Sequence, residues 1–280
     1  EMTSSLVGSE MCIRDSEGFS LLLFIINRII SDGLLMLGDE MKKKRIVVLL
    51  IFLAVVSGGI YFAQGKNELT ERIVTPQQKN KIVLDVPLES QFDDVALENG
   101  CEVTALSMLL QYYGYDTDKN ELADELDYQP LYTESGNHGN PHLGFVGDIT
   151  GGDEAMGVAV EPIAKLAKEY VEDDYRVVAS NKKSFNKIMA NVAGGTPVWI
   201  VATVDFQVPK DNDWLLWETD QGSMYVTPLV HSAVITGFDR KEKIVYVNDP
   251  YGYQNREVDW SDMKQVYEES DQQSLYLEKN

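Results

Sequence analysis

The chain of 280 residues is poor in cysteine, histidine and basic side chains. Its two cysteines, Cys12 and Cys101, allow one disulfide at most, which excludes a scaffold built on disulfides. Only 24 Lys and Arg residues stand against 45 Asp and Glu residues, so the formal charge is −21. Because an acidic surface repels a phosphate backbone, we expect no nucleic-acid partner.

The rest of the composition is that of a globular protein, with 44% hydrophobic and 25% charged residues. These proportions exclude collagen, coiled coils and general disorder, and the length is ample for one sizeable core or two small ones. Two long apolar runs, 21–37 and 46–63, both lie within the first 65 residues. The first 65 residues therefore differ in character from the rest of the chain.

The segment from Met41 has the form of an export signal. Met41 is followed by three lysines and an arginine, and then by the apolar run 46–63. Basic residues before an apolar stretch direct a bacterial chain into the membrane with the basic end inside. We therefore expect translation to begin at Met41, with residues 1–40 an artefactual extension and residues 41–65 a signal peptide or a retained signal-anchor.

The alternative is that residues 21–37 form a genuine first membrane helix. Arg28 and Asp32 fall inside that stretch, and a charge near the bilayer centre costs about 2.5–3.5 kcal/mol, so the segment spans poorly. Without residues 1–40, Cys101 is the only cysteine. The export signal predicts an extracytoplasmic domain, either membrane-anchored or secreted, that follows a polar tether over 66–81.

Residues 82–280 are predicted to form one α+β domain. Helical patterns dominate its first half and strand patterns its second, which favours helices segregated from an antiparallel sheet over βαβ winding. Predicted helices cover 101–113, 162–170 and 184–192, with a short one capped by Thr117 and another after Ser261; predicted strands cover 82–88, 198–204, 230–238, 243–248 and the region around Leu275. The glycine-rich stretch 133–157 is predicted to be a functional or a disordered loop.

Cys101 begins the first predicted helix, directly after Asn99 and Gly100. Free backbone N–H groups and the helix dipole stabilise a thiolate at that position, so we expect a lowered thiol pKa, as a nucleophile requires. A buried structural cysteine is the ordinary alternative. The neighbours Gly100 and Glu102 argue against burial, and position alone leaves the two interpretations even.

His231 and Asp249 favour the nucleophile. In an antiparallel hairpin that turns near Arg240, the two residues lie opposite or diagonal to each other on one face. A carboxylate beside an imidazole fixes its tautomer and leaves the other nitrogen for the thiol. A structural His–Asp pair is the alternative, and Asn248 is a second candidate orienting group, although strand alternation turns its side chain to the other face.

A thiolate that attacks a carbonyl also needs hydrogen-bond donors for the developing oxyanion. The backbone N–H of Cys101 is one candidate donor. The side chain of Gln91 is another, although an isolated glutamine is ordinarily a surface residue.

The stretch VPLESQFDDVALENGCEVTALSMLLQYYG, residues 86–114, resembles the opening of bacterial papain-like cysteine peptidases related to the bacteriocin-leader (double-glycine) processing peptidases. HSAVITGFD and VYVNDPYG resemble the His and Asp segments of that family. GNPHLGFVGDITG and GTPVWIVATVDF resemble its stand-alone, extracytoplasmic branch. The resemblance covers roughly residues 82–277.

This resemblance implies a papain-like fold and a role for each candidate residue. Cys101 is the implied nucleophile, His231 the general base, Asp249 the orienting group and Gln91 the oxyanion donor. No cofactor and no metal are expected. Because no transporter membrane domain or ATPase accompanies these segments in the sequence, leader processing during export is not implied.

His138 and His142, near Asp148 and Asp153, are a weak candidate metal site. Pro141 keeps the two histidines from sharing a helix face, so a substrate loop or plain surface is favoured. Separately, the aromatic residues Trp214, Trp217 and Tyr225 are candidates either for a peptide or glycan groove or for ordinary packing.

The expected function is that of an extracytoplasmic cysteine peptidase or amidase, which hydrolyses peptide or amide bonds in a peptide or protein through an acyl-enzyme. Two alternatives stay open. One is a non-catalytic binding module with a papain-like shell, and the other is a hydrolase of cell-wall peptides.

Overall fold

The computed structural model describes residues 79–280. Residues 1–78 lie outside the described residues. They include the expected extension, the signal segment, Cys12 and most of the tether. Among residues 79–280, no helix combines the length and the apolarity needed to cross a bilayer. Residues Gln78–Asn280 group into a single compact unit.

A seven-stranded sheet forms the frame of this unit. Its strands are β1 (Lys81–Val83), β5 (Tyr175–Ser180), β6 (Val198–Thr203), β9 (Val230–Asp239), β10 (Ile244–Asp249), β11 (Tyr253–Asp259) and β12 (Ser274–Lys279). The order is β11-β10-β9-β6-β12-β5, with β1 paired to the carboxyl end of β9, and every pairing in this sheet is antiparallel. Strand β9 is buried from His231 to Asp239, so both faces of the sheet are covered there.

Within residues 79–280, five α-helices accompany the sheet: α1 (Cys101–Tyr112), α2 (Lys119–Glu125), α3 (Val160–Tyr170), α4 (Phe185–Gly194) and α5 (Trp260–Glu269). Helix α1 is buried on all sides from Cys101 to Leu110, as expected for the central helix of a core. The Trp199 indole of β6 donates a hydrogen bond of 3.0 Å to the main-chain oxygen of Glu102. This bond fixes the first turn of α1 against the sheet.

A smaller layer is built from β2 (Tyr128–Gln129), β3 (Phe145–Gly147) and β4 (Ala155–Gly157), together with the hairpin of β7 (Leu215–Thr219) and β8 (Gly222–Val226). It has its own small core of Val146, Met156, Trp217 and Val226. The stretch 133–157 is thus folded, and the prediction of a functional or disordered loop misses β3 and β4. Their buried side chains supply the reason that this stretch is ordered.

The α+β class is confirmed, but the end of the first strand and the cap of α2 differ from the prediction. The first strand ends at Val83 rather than Leu88, because the Val86 N–H donates back to the carbonyl of Leu84 at 3.0 Å and Pro87 has no N–H. The side-chain amide of Asn248 donates to the carbonyls of Val86 and Pro87, at 2.9 and 3.1 Å. The cap of α2 is Asp118 rather than Thr117, since the Asp118 carboxylate accepts two backbone N–H bonds of the first turn.

Candidate active site

Cys101 is the first residue of α1, and the loop before it is tied down. The Asn99 side chain donates to the carbonyls of Asp148 and Gly152, at 2.8 and 3.1 Å. A Cβ atom added at Gly100 would lie 2.5 Å from the Cβ of Leu97. A residue larger than glycine at this position would therefore require a shift of the surrounding atoms. The loop therefore delivers Cys101 to the helix terminus in a fixed position.

The Cys101 thiol is buried, and its sulfur donates to the Glu102 Oε2 atom at 3.3 Å. Burial and the neighbouring Glu102 carboxylate raise the pKa of the Cys101 thiol well above its ordinary value, although a backbone hydrogen bond from Ser232 lowers it. The expectation of a lowered pKa from the helix terminus is therefore wrong for this state, because desolvation and a facing carboxylate outweigh the helix dipole.

The His231 and Asp249 side chains are in contact. His231 Nε2 lies 2.8 Å from Asp249 Oδ1, and both residues are buried. The hairpin turns between Ile244 and Asp239, and Asn248 pairs with Val234. Asp249 is therefore diagonal to His231, and the turn lies further along the chain than the position near Arg240 that we expected. This contact leaves the Nδ1 atom of His231 for a second partner.

Cys101, at the start of α1, lies close to the His231–Asp249 pair. A backbone hydrogen bond from Ser232, the residue after His231, acts to lower the pKa of the Cys101 thiol. Burial raises the pKa of the neighbouring Glu102, and the charge of His231 acts against that rise. A thiol, an imidazole and a carboxylate thus lie together at the junction of α1 with β9 and β10.

Asp249 is held by more than His231. Its Oδ1 also accepts the Tyr251 N–H at 3.0 Å, and its Oδ2 accepts Arg256 Nη1 at 2.8 Å. Arg256 Nη2 in turn binds Asp205 Oδ1 at 2.8 Å. Burial acts to raise the pKa of Asp249, but the hydrogen bond and charge of His231, with Tyr251 and Arg256, outweigh it and lower the pKa. Asp249 therefore stays ionised beside the imidazole.

Gln91 is buried next to the site. Its backbone N–H donates to the carbonyl of Pro250, the residue after Asp249, at 2.8 Å. Its side-chain Nε2 donates to the carbonyl of Glu98 at 2.6 Å, and Oε1 has no hydrogen-bond partner among residues 79–280. An amide nitrogen carries two hydrogens, so one remains for another acceptor.

The other candidates have different surroundings. Asn248 faces away from His231, with its oxygen accepting the Asn255 N–H at 3.0 Å. His138 stacks on Trp217 with ring centroids 4.1 Å apart, and His142 Nδ1 lies 2.8 Å from Glu161 Oε2. Neither histidine joins a cluster with Asp148 or Asp153 among the residues that the structure describes.

A cavity of about 450 Å³ lies beside the site. Val230, which precedes His231, lines it, as does Val158, whose N–H donates to Glu102 Oε1 at 3.1 Å. Further apolar lining comes from Met156, Val201, Trp214, Met224, Tyr225 and Val226. Two of the three aromatic candidates, Trp214 and Tyr225, therefore border open space, whereas Trp217 is packed.

Sequence reasoning missed the roles of Glu102 and Arg256. Glu102 was expected to mark an exposed helix start, yet it is buried because Val158 N–H and the Cys101 thiol both donate to its carboxylate. Arg256 lies on β11, a strand that the sequence pattern did not predict. The adjacency of Glu102 to Cys101 was the one available signal for either residue.

Comparison with known proteins assigns the chain to a family. Residues 83–275 match the model of the Peptidase_C39 like family. An uncharacterised protein of Bacillus subtilis (strain 168), YvpB, is 41% identical over 196 residues, which are 70% of this chain and 76% of that protein. A Bacillus anthracis protein assigned as a C39-like peptidase has a crystal structure that superposes with a TM-score of 0.66 at 32% identity, over 71% of this chain and 98% of its own.

A double-glycine motif protease from an AMS/PCAT transporter, solved with its leader peptide, is 14% identical with a TM-score of 0.39, over 71% of this chain and 94% of its own. That likeness is too slight to bear on function. The matching family and the Bacillus anthracis structure confirm the expected peptidase fold. The chain belongs to the Peptidase_C39-like family.

Proposed function

We propose that the protein is a cysteine peptidase in which Cys101, His231 and Asp249 form the catalytic group. The observation that carries this proposal is the contact of 2.8 Å between His231 Nε2 and Asp249 Oδ1, beside a cysteine at a helix amino terminus. A carboxylate on Nε2 leaves Nδ1 to act as base toward the thiol. Membership of a peptidase family supports a peptide substrate.

In the first half of the reaction, the proton of the Cys101 thiol passes to Nδ1 of His231 as the sulfur attacks the scissile carbonyl carbon. His231 then donates that proton to the leaving amine, and the C–N bond breaks to leave a thioester. In the second half, His231 removes a proton from water, the hydroxide attacks the thioester, and the Cys101 sulfur leaves and recovers the proton. Asp249 stays ionised and orients the imidazole.

Two donors are proposed for the oxyanion, the backbone N–H of Cys101 and the Nε2–H of Gln91. The first belongs to the free amino terminus of α1. Support for Gln91 comes from its burial and from its backbone tether to Pro250, next to Asp249. The Gln91 amide has to keep its bond to Glu98 while its second hydrogen faces the substrate.

The cavity beside β9 supports a peptide whose bulky apolar side chain lies close to the scissile bond. Its volume of about 450 Å³ exceeds that of one side chain, and apolar residues including Met156, Met224 and Trp214 line it. Methionines adapt to varied apolar shapes. We propose that this cavity receives substrate side chains while the backbone of the substrate passes Cys101.

We also propose that the domain acts outside the cytoplasm, anchored or secreted through residues 41–65. The basic–apolar pattern after Met41 supports this placement. Amino-terminal sequencing of the native protein tests it: a first residue at or after Met41 is expected, and a mature chain that begins upstream of Met41 contradicts it.

A covalent trap tests the chemistry. Intact-protein mass spectrometry of the full chain with a peptidyl thioester is expected to show one added acyl group on Cys101. Cys101→Ser and His231→Ala are expected to remove or strongly slow the adduct, while Asn248→Ala is expected to keep it. An adduct that forms equally fast in His231→Ala excludes His231 as the base.

One observation favours a second candidate, a non-catalytic binding module. Burial and the Glu102 carboxylate raise the pKa of the Cys101 thiol, as expected for an inert cysteine. The same trap decides between the two functions, because a binding module retains the peptide without forming a thioester.

A further inference from the structure

The side chain of Glu102 is a buried carboxylate that the proposed reaction does not use. It is 1% exposed, and each of its oxygens has its own donor. Oε1 accepts the Val158 N–H at 3.1 Å, and Oε2 accepts the Cys101 thiol at 3.3 Å. Glu102 therefore joins the nucleophile to the wall of the adjacent cavity, which Val158 lines.

The backbone opposite Glu102 is shaped to admit it. Gly157 has φ +75°, and a Cβ atom there would lie 2.3 Å from Glu102 Oε1. Only glycine both adopts this conformation readily and leaves room for the carboxylate. The Glu102 carboxylate therefore has its own space and two hydrogen-bond donors, one of which is the Cys101 thiol. Its position in the site is defined by these contacts.

Because of the charges around the Cys101 thiol, its hydrogen bond to Glu102 affects how readily the thiol ionises. The ionisable groups that interact electrostatically with the Cys101 thiol are Glu102 from its own helix, and Asp249 and Tyr251 from the sheet side. The charge of His231 acts on Glu102. Two of these groups, Glu102 and Asp249, are carboxylates. A carboxylate that accepts the S–H hydrogen bond favours the thiol over the thiolate.

We propose that Glu102 is a positioning residue that holds the Cys101 thiol in an unreactive, hydrogen-bonded resting state. The inference rests on the proposed function, in which the thiol has to leave Glu102 and turn to Nδ1 of His231 before it attacks. No bond to Glu102 is made or broken covalently. The S–H···O hydrogen bond is exchanged for an S–H···N bond, and the proton then moves to His231.

The same arrangement connects the thiol to the cavity. Because Val158 N–H and the thiol share one carboxylate, a side chain that enters the cavity and displaces Val158 also disturbs the carboxylate that holds the thiol. The reactive thiolate therefore forms only when a substrate side chain occupies the cavity. Without substrate, the Cys101 thiol resists alkylation at neutral pH.

Glu102→Gln tests the inference. The glutamine oxygen still accepts Val158 N–H, but the NH₂ group that replaces Oε2 neither accepts the thiol hydrogen nor carries a charge. We expect alkylation of Cys101 by iodoacetamide at pH 7 to become about tenfold faster, with the midpoint of its pH profile lowered by about one unit. Peptide mass spectrometry separates labelling of Cys101 from labelling of Cys12.

The control is Glu257→Gln, which makes the same change on the exposed face of β11 and is expected to leave the profile unchanged. An unaltered midpoint in Glu102→Gln, or slower labelling, overturns the proposal, because a purely structural role predicts one of those results. Alkylation requires no peptide, so a faster reaction in a protein that cleaves nothing supports the restraint on the thiol while the peptidase function fails.

Burial raises the pKa of Glu102, and glutamine is close to glutamate in size and keeps an acceptor for the Val158 N–H, so the Glu102→Gln variant is expected to fold. If Glu102→Gln nevertheless fails to fold, the infrared S–H stretch of the Cys12→Ser protein tests the same bond. A band at lower wavenumber than that of an exposed thiol supports it, and a band at the exposed position overturns it.

Discussion

At the scale of single residues, the site depends on one carboxylate that is bonded on both oxygens. Asp249 binds His231 and Tyr251 through Oδ1 and Arg256 through Oδ2. The guanidinium of Arg256 continues to Asp205, which adopts a left-handed backbone with φ 57°. An imidazole oriented by so constrained a partner keeps one tautomer and one orientation.

Arg256→Ala is expected to weaken this support. The buried Asp249 loses one donor, so the free energy of unfolding should fall by about 1–3 kcal/mol, and activity should fall with it. Denaturant titration measures the change. Arg176→Ala is the control, since Arg176 pairs with Glu278 on the exposed surface and its loss should cost about 0–1 kcal/mol. Equal effects of the two substitutions contradict the positioning role of Arg256.

The lowered pKa of Asp249 predicts a pH dependence of stability. A carboxyl group whose folded pKa lies below its unfolded value stabilises the fold fully above the unfolded pKa, near 3.9, and loses that contribution as the pH falls through the folded pKa. Asp249→Asn should therefore lose stability at neutral pH and show a shallower fall below about pH 4 than the wild type. Thermal unfolding measured from pH 7 to pH 2 checks this, and parallel curves for the two proteins count against it.

At the scale of elements, the close approach of β4 to the start of α1 constrains the surroundings of Cys101. Gly157→Ala places a Cβ atom 2.3 Å from Glu102 Oε1 at a positive φ, and we expect a loss of about 1–3 kcal/mol in the free energy of unfolding. Gly194→Ala, at the end of α4, has nothing within 4 Å of the new Cβ atom and should change little. A Gly157→Ala protein as stable as the wild type contradicts this close packing.

The same elements show which parts of the fold could be predicted from the sequence. Helical spacing predicted α1 and the place of Cys101 at its first turn, and strand patterns predicted β9 and β10. The turn was misplaced because β10 pairs with β9 two to three positions further along, and the register shifts by one residue between Tyr246 and Val247. Strand β11, YQNREVD, was missed because its one buried residue, Val258, gives no alternation.

Local sequence patterns do not show which segments, far apart in the chain, are in contact. The bond from Val158 to Glu102 spans 56 positions, and the burial of Glu102 depends on it. A glutamate beside a loop is usually solvated, so the sequence favoured exposure. Gln91 shows the same limit, because its place beside Asp249 follows from a backbone bond to Pro250.

At the scale of the whole molecule, the family and the net charge bear on different questions about the partner. The Peptidase_C39-like family points to a peptide substrate. That nucleic acids are not partners, as the net charge of −21 indicates, stays a prediction. Acidity also keeps a protein soluble and attracts cationic ligands. The cavity of about 450 Å³ beside Val230 adds an expectation of bulky apolar side chains near the cleaved bond.

Mass-spectrometric profiling of a diverse peptide library decides whether this molecule is a peptidase. We expect the wild-type chain to cut at sites with a bulky apolar residue close to the scissile bond, and the Cys101→Ala chain to leave every one of those peptides intact. If Cys101→Ala cuts the same peptides, or if the folded wild type cuts none, Cys101 is not the nucleophile of a peptidase.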